Sequence, residues 1–138
     1  MEFADLQNVA QLADQLGYPH KLVDIQTRFL KMENDPCYAM YVSKDVNEKI
    51  TGFILVNREP HTLLADDRAE VSGLVVDQAA RSRGIGTALL QSAERWAKEN
   101  NLTLMRIRSN VNRKDAHRFY EKHAYTIKKS WHLFFKNL

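Results

Sequence analysis

The residues best placed to do chemistry in this chain are Arg81-Ser82-Arg83-Gly84-Ile85-Gly86-Thr87. Two glycines two positions apart let a ligand come close to the backbone. A helix opening there leaves its first amides unpaired and outward-facing, with the positive end of the helix dipole behind them. Such a corner binds anions, and a pyrophosphate fits it. Arg81 and Arg83 add positive charge at its mouth. Two common phosphate loops are excluded. A dinucleotide fingerprint needs a third glycine at position 89, where Leu89 stands, and the Gly-Lys-Ser/Thr of a P-loop is absent. The spacing predicts a pyrophosphate cradle of another kind, with a plain glycine-containing helix start as the alternative.

A cradle of this sort needs a strand before it and a helix after it. Residues 69–76 (Ala-Glu-Val-Ser-Gly-Leu-Val-Val) read as the strand, and Gly73 within it points to a bulge or a close backbone approach. Residues 84–99 read as the helix, with Ile85, Leu89, Ala93 and Trp96 on one face and Asn100-Asn101 as its stop. Upstream, Phe3, Leu6, Val9, Leu12 and Leu16 predict a helix over 3–16, ended by Gly17 and Pro19. Leu22, Ile25, Phe29 and Met32 predict a second over 20–33. Segments 37–43 and 50–57 read as strands joined by a hairpin turn at 45–49. Downstream come a strand over 102–108, a helix over 113–123 with Ala116, Phe119, Tyr120 and His123 on its inner side, and one or two closing strands over 125–135. The fold class is α/β, with one parallel crossover from 69–76 through 84–99 to 102–108.

With 138 residues, the chain is long enough for one well-buried core and too short for two. Hydrophobic residues at 44% and charged residues at 27% exclude a disordered, collagen-like or disulfide-stapled class. No apolar run reaches the ~20 residues of a membrane span, and the first ten residues lack the pattern of a signal peptide. The lone Cys37 reads as a buried strand residue in a reducing, cytoplasmic protein. Charge divides unevenly: residues 1–70 carry 12 acidic and 7 basic side chains, net −5, while residues 71–138 carry 5 and 13, net +8. The second half suits an anionic partner, unless its Lys and Arg only cover solvated helix faces. The five histidines show no metal-ligand spacing, so no metal site is expected. Nor is a nucleic-acid surface expected, because the alternation over 102–136 fits core strands better than interleaved basic and aromatic residues.

The cradle segment resembles the acetyl-CoA-binding signature of the GNAT acetyltransferase superfamily, (Arg/Gln)-x-x-Gly-x-(Gly/Ala), carried here by Arg81, Gly84 and Gly86. Leu74-Val75-Val76-Asp77 is similar to the strand that precedes it. Ala116-His117-Arg118-Phe119-Tyr120-Glu121-Lys122 is similar to the family's later helix with its Tyr. The resemblance runs from helix 3–16 onward, and residues 110–120 are similar to the aminoalkylphosphonate and related small-amine N-acetyltransferases. It implies a single domain over 1–138, a GNAT-like mixed sheet flanked by helices in the order ααβββαβαβ(β). Three departures stand out. The family's first strand is missing or very short, Ala124 replaces a frequent Gly, and Arg113 replaces a frequent Asn, for which Asn110 or Asn112 is the substitute.

The resemblance also implies acetyl transfer from acetyl-CoA to the primary amine of a small molecule, by direct attack in a ternary complex. The alternatives are acetylation of a protein Lys or N-terminus, and a non-catalytic acetyl-CoA-binding regulator. Acetyl-CoA binding is implied for Leu74, Val75, Val76, Arg81, Arg83, Gly84, Ile85, Gly86, Thr87, Asn110, Asn112 and Phe119. An alkylamine of pKa ~10.4 arrives protonated, and a carboxylate near the thioester can take its proton directly or through water. Glu70 fills that role, the alternative being an ion pair with Arg68 or with a Lys of an adjacent strand. Tyr120 would give a proton to the leaving thiolate, the alternative being a core aromatic. The acceptor is expected against helices 3–16 and 20–33 and loop 58–68, where Asp24, Glu59, Asp66 and Asp67 favour a cation. Trp131 and Phe134-Phe135 read as edge or core strand residues, with a homodimer contact as the alternative.

Overall fold

The computed structural model describes every residue except Leu16, Tyr18, Pro19 and His20. It forms two compact units, Met1–Ile107 and Arg108–Leu138. The first is built on a four-stranded sheet in the order β1-β2-β3-β4, with β1 Tyr38–Lys44, β2 Ile50–Glu59, β3 Arg68–Val76 and β4 Met105–Ile107. The first three are antiparallel neighbours, and β4 runs parallel to β3. The expected crossover is therefore present, although β4 is only three residues long. β2 is rich in β-branched and aromatic residues and is buried along most of its length, as befits a central strand. In the β1–β2 turn the Asp45 carboxylate accepts the amides of Asn47 and Lys49 at 2.8 and 3.0 Å. Cys37 departs from expectation. It lies one residue before β1, half-exposed, in a turn held by its amide donating to Asp35.

Side chains of successive β2 residues point to opposite faces, and a helix covers each. On one face, Val9, Leu12 and Ala13 of α1 (Leu6–Asp14) pack with Ile50, Phe53 and Val75. A short 3-10 turn, Phe3–Asp5, leads into α1 through reciprocal capping by Glu2 and Asp5. On the other face lies α3 (Ile85–Glu99), which buries Leu89, Leu90, Ala93, Trp96 and Ala97. This agrees with the expected face except that Ile85 is half-buried. Asn101 ends α3 in the left-handed region at φ +59, while Leu102 and Asn101 donate back to Ala97 and Lys98 at 2.9 and 3.0 Å. α2 (Leu22–Met32) buries only Phe29, whose ring meets Phe3 edge-on at 6.3 Å. The expected ends of the first helix at Leu16 and Pro19, and the start of the second at His20, lie outside the described residues.

In the second unit, α4 (Lys114–Lys122) half-buries the expected Ala116, Phe119, Tyr120 and His123. It closes on Ala124 at φ +64, with Ala124 and Tyr125 donating to Glu121 and Tyr120 at 3.0 and 3.1 Å. The turn therefore keeps the form that a glycine would favour. The closing strands expected over 125–135 do not form. Their period-two pattern is genuine, since Tyr125, Ile127, Trp131, Leu133 and Phe135 alternate with mostly polar residues. A strand, however, needs a neighbour for its hydrogen bonds and its apolar face, and residues 126–138 are exposed throughout.

Candidate active site

The cradle grows out of the end of β3. Asp77 donates its amide to Thr51 at 2.8 Å, and its carboxylate accepts from Ala79 at 3.2 Å and faces Lys49 at 3.8 Å. A 3-10 turn, Gln78–Ala80, follows, anchored by buried Ala80. The guanidinium of Arg81 bends back to the Val76 carbonyl at 3.3 Å. Two left-handed residues then turn the chain, Ser82 at φ +63 and Gly84 at φ +80. Gly84 is the N-cap of α3. A Cβ there would touch nothing within 4 Å, so glycine is needed for the backbone angle and not for space. A glycine cap also brings no side-chain oxygen of its own to the first turn, and α3 aligns its dipole behind that turn. The structure thus gathers Arg81, Arg83, Gly84, Ile85, Gly86 and Thr87 on one corner, with Arg81, Arg83 and Gly84 exposed and the other three half-buried.

β3 itself is irregular where Gly73 predicted it. Leu55 pairs with Gly73 but Val56 with Val71, so Ser72 is the extra residue of a bulge, its hydroxyl donating to Leu55 at 3.4 Å. The parallel ladder to β4 runs over Ala69–Met105, Glu70–Arg106 and Val71–Ile107, and it ends where the bulge begins. Beyond it, residues 72–76 keep β2 as their ladder partner. Of the three expected contact residues there, Val75 has its side chain in the core with Val9 and Phe53, which leaves its backbone for any ligand. Leu74 and Val76 are half-buried.

Glu70 sits two residues before the bulge and is only 4% exposed. The Nε of Arg106, its register partner on β4, donates to its carboxylate. The adjacent-strand partner is thus an arginine where a lysine was expected. The second arm of Arg106 donates to Glu59 at 2.5 Å, and Glu59 stands 2.9 Å from Arg68. Burial works against the charge of Arg106, but the carboxylates of Glu70 and Glu59 outweigh it and hold its pKa above the ordinary guanidinium value. The expected surplus of acid is smaller than composition implies. Glu59 is neutralised, and Asp67 is clasped by Arg58 at 2.6 Å and His61 at 3.0 Å, contacts that hold its pKa low, Arg58 foremost. Asp24 and Asp66 remain exposed.

Four expected site residues belong to the second unit. Tyr120 on α4 packs edge-on to Phe119 at 5.4 Å and to Tyr125 at 6.1 Å. Burial raises its phenol pKa, and the nearby charge of Arg113 opposes this. Asn110 accepts the Asn112 amide with its side chain at 2.9 Å and the Arg113 amide with its carbonyl at 3.0 Å, which shapes the turn into α4. Sequence reasoning missed Arg106 and Gly52. Only one of the parallel registers open to 102–108 against 69–76 sets Arg106 opposite Glu70, so the sequence offers that pair without selecting it. Gly52 had no signal except being a glycine inside an apolar strand.

Known proteins resemble this arrangement. The profile of the Acetyltransferase (GNAT) family matches residues 3–125. The aminoalkylphosphonate N-acetyltransferase of Salmonella typhimurium is 35% identical over 79 residues, 57% of this chain and 51% of that one. The uncharacterized N-acetyltransferase YhdJ of Bacillus subtilis is 36% identical over 75 residues, 54% of this chain and 48% of that one. The chain thus spans about half the length of the curated relatives it matches. Among solved structures, AAC(6')-Iy in complex with the bisubstrate analogue CoA-S-monomethyl-acetylneamine superposes with a TM-score of 0.87 at 15% identity, over 100% of this chain and 95% of that one. At that identity the likeness is one of fold.

Proposed function

The chain belongs to the acetyltransferase (GNAT) family, and on that premise we propose that residues 1–138 act as one domain transferring an acetyl group from acetyl-CoA to the primary amine of a small molecule. The observation that carries this is the Gly84 corner. A glycine N-cap in the left-handed region, flanked by Arg81 and Arg83, follows a strand whose parallel ladder has already ended. The pyrophosphate of acetyl-CoA takes the α3 amides of Ile85, Gly86 and Thr87, and the pantetheine arm runs along Leu74, Val75 and Val76 as a short added strand. Asn110, Asn112 and Phe119 complete the cofactor contacts.

The amine nitrogen attacks the thioester carbonyl directly, so a C–N bond forms as the C–S bond breaks. Glu70 takes the ammonium proton, directly or through water, because only the free amine has a lone pair to donate. Tyr120 gives its proton to the departing sulfur, and a phenol above its ordinary pKa keeps that proton through neutral pH. The thiolate, of pKa ~8.5, also leaves unaided, so Tyr120 assists without being indispensable. Because one relative is named an aminoalkylphosphonate N-acetyltransferase, aminoalkylphosphonates are the first acceptors to try.

The test is thermal melting with acetyl-CoA and with CoA, followed by thiol release across a panel of amines that includes an aminoalkylphosphonate and an aminoglycoside. A rise in Tm with acetyl-CoA together with turnover on at least one amine is expected. No rise would remove the cradle. A rise without turnover on any amine would leave a cofactor-binding protein in place of an enzyme.

A further inference from the structure

Arg106 joins two carboxylates across three strands. Its Nε donates to Glu70 and its Nη2 to Glu59. The register explains the alternation, since Glu59 opposes Arg68 across β2 and β3 while Glu70 opposes Arg106 across β3 and β4. Arg106 from β4 stands against Glu70, with Glu59 from β2 and Arg68 from its own strand beyond it. Neutral Asn57 stands opposite Glu70 on β2. The chain is imperfectly bonded at its far end. Glu59 Oε2 and Arg68 Nε are 2.9 Å apart and buried, yet neither makes a hydrogen bond of good geometry. Arg68 therefore holds Glu59 loosely, and Arg106 is the group that both carboxylates share.

A clamp of this kind pins the short β4 to β3. Its place on the ladder gives it more to do. The Glu70–Arg106 rung is next to the last one, just before the bulge at Ser72 where β3 goes on without β4. Whatever fixes the Glu70 carboxylate also fixes it against the part of β3 assigned above to the acyl donor. Glu70 is 4% exposed, and the Nε of Arg106 donates to its buried carboxylate. That guanidinium is divided between Glu70 and Glu59.

We propose that Arg106 is a positioning residue of the acetyl transfer, holding the Glu70 carboxylate in place to receive the ammonium proton, with Glu59 sharing its guanidinium. This rests on the reading of Glu70 as the base. Arg106 keeps its own proton throughout. The proton passes from the ammonium to Glu70 and on to water once the C–N bond has formed.

The experiment pairs a carbon-13 titration of the Glu70 side-chain carboxyl, assigned by its loss in Glu70→Gln, with the pH profile of kcat/KM. Arg106→Gln removes the cation and should move the Glu70 midpoint, and the acid limb of kcat/KM with it, to higher pH. Glu59→Gln should move both the other way, because it removes a like charge and frees Arg106 for Glu70. Arg106→Lys, which keeps the charge, should return the limb most of the way to wild type. A structural clamp alone would lower Tm in these variants and leave the limb where it was, and that result overturns the proposal. If Arg106→Gln does not fold, Glu59→Gln and Arg106→Lys carry the decision. Wild-type protein inactive on every amine overturns the transfer reading together with the part given to Arg106, whereas active wild type whose limb ignores the variants overturns Arg106 alone.

Discussion

A Cβ placed on Gly52 would stand 2.9 Å from the carbonyl oxygen of Val75, with Leu89 and Ile85 of α3 at 3.1 and 3.2 Å. The absent side chain is what lets β2, β3 and the first turns of α3 close on one another, so a core glycine sets how near the cradle helix lies to its strand. Replacing it with alanine forces backbone or helix to move, at about 1–3 kcal/mol by analogy with overpacked cores. Gly52→Ala should lower Tm and also weaken acetyl-CoA binding, because α3 carries the cradle amides. Melting curves with and without acetyl-CoA read both effects, and binding unchanged in a destabilised variant would separate the two.

Gly84 is the converse case, free of neighbours but left-handed. Gly84→Ala should cost about 1 kcal/mol in backbone strain, partly offset by a stiffer unfolded chain. Gly84→Glu should cost a similar amount in stability while lowering acetyl-CoA affinity at least tenfold, since it puts a side chain and a like charge where the diphosphate is proposed to bind. Calorimetric titration of the two variants makes the comparison. Equal affinities would move the cradle elsewhere.

Ala124 pays for a left-handed turn that a glycine would take freely. Ala124→Gly should stabilise the end of α4 by roughly 0.5–1 kcal/mol, the strain relieved less the entropy of a more flexible unfolded chain. The local readout is hydrogen exchange at the Tyr125 amide, which donates to Tyr120. It should slow about two- to fivefold, at 1.4 kcal/mol per factor of ten.

Burial raises the Tyr120 pKa above the ordinary phenol value. A raised pKa means that the proton-bearing form persists to higher pH. If Tyr120 protonates the leaving sulfur, the alkaline limb of kcat should lie above pH ~10. Tyr120→Phe should lose that limb and show a modest fall in kcat, not abolition. A limb that survives the substitution would give the proton to another group.

Much of this molecule could be read from residue order. Period-two and period-3.6 patterns placed β1 to β3 and α1 to α4 within a few residues, because each element must bury one face and that need is written locally. Gly73 announced the bulge, and Arg81, Gly84 and Gly86 announced the corner that opens α3. The closing strands over 125–135 were misjudged for a related reason. Ile127, Trp131, Leu133 and Phe135 have the alternation of a strand, but a pattern records a readiness to pair and not the presence of a neighbour.

What the linear order determined by itself is whatever depends on short range: where helices begin, which glycine can turn left-handed, and which segments alternate. Pairings between distant residues were settled only in three dimensions. Glu70 meets Arg106 because β3 and β4 adopted one parallel register out of several open to so short a strand. Gly52 matters because α3 came down on that spot of β2. Ladder register and helix docking are set by the summed packing of the whole sheet, which no local stretch of sequence contains.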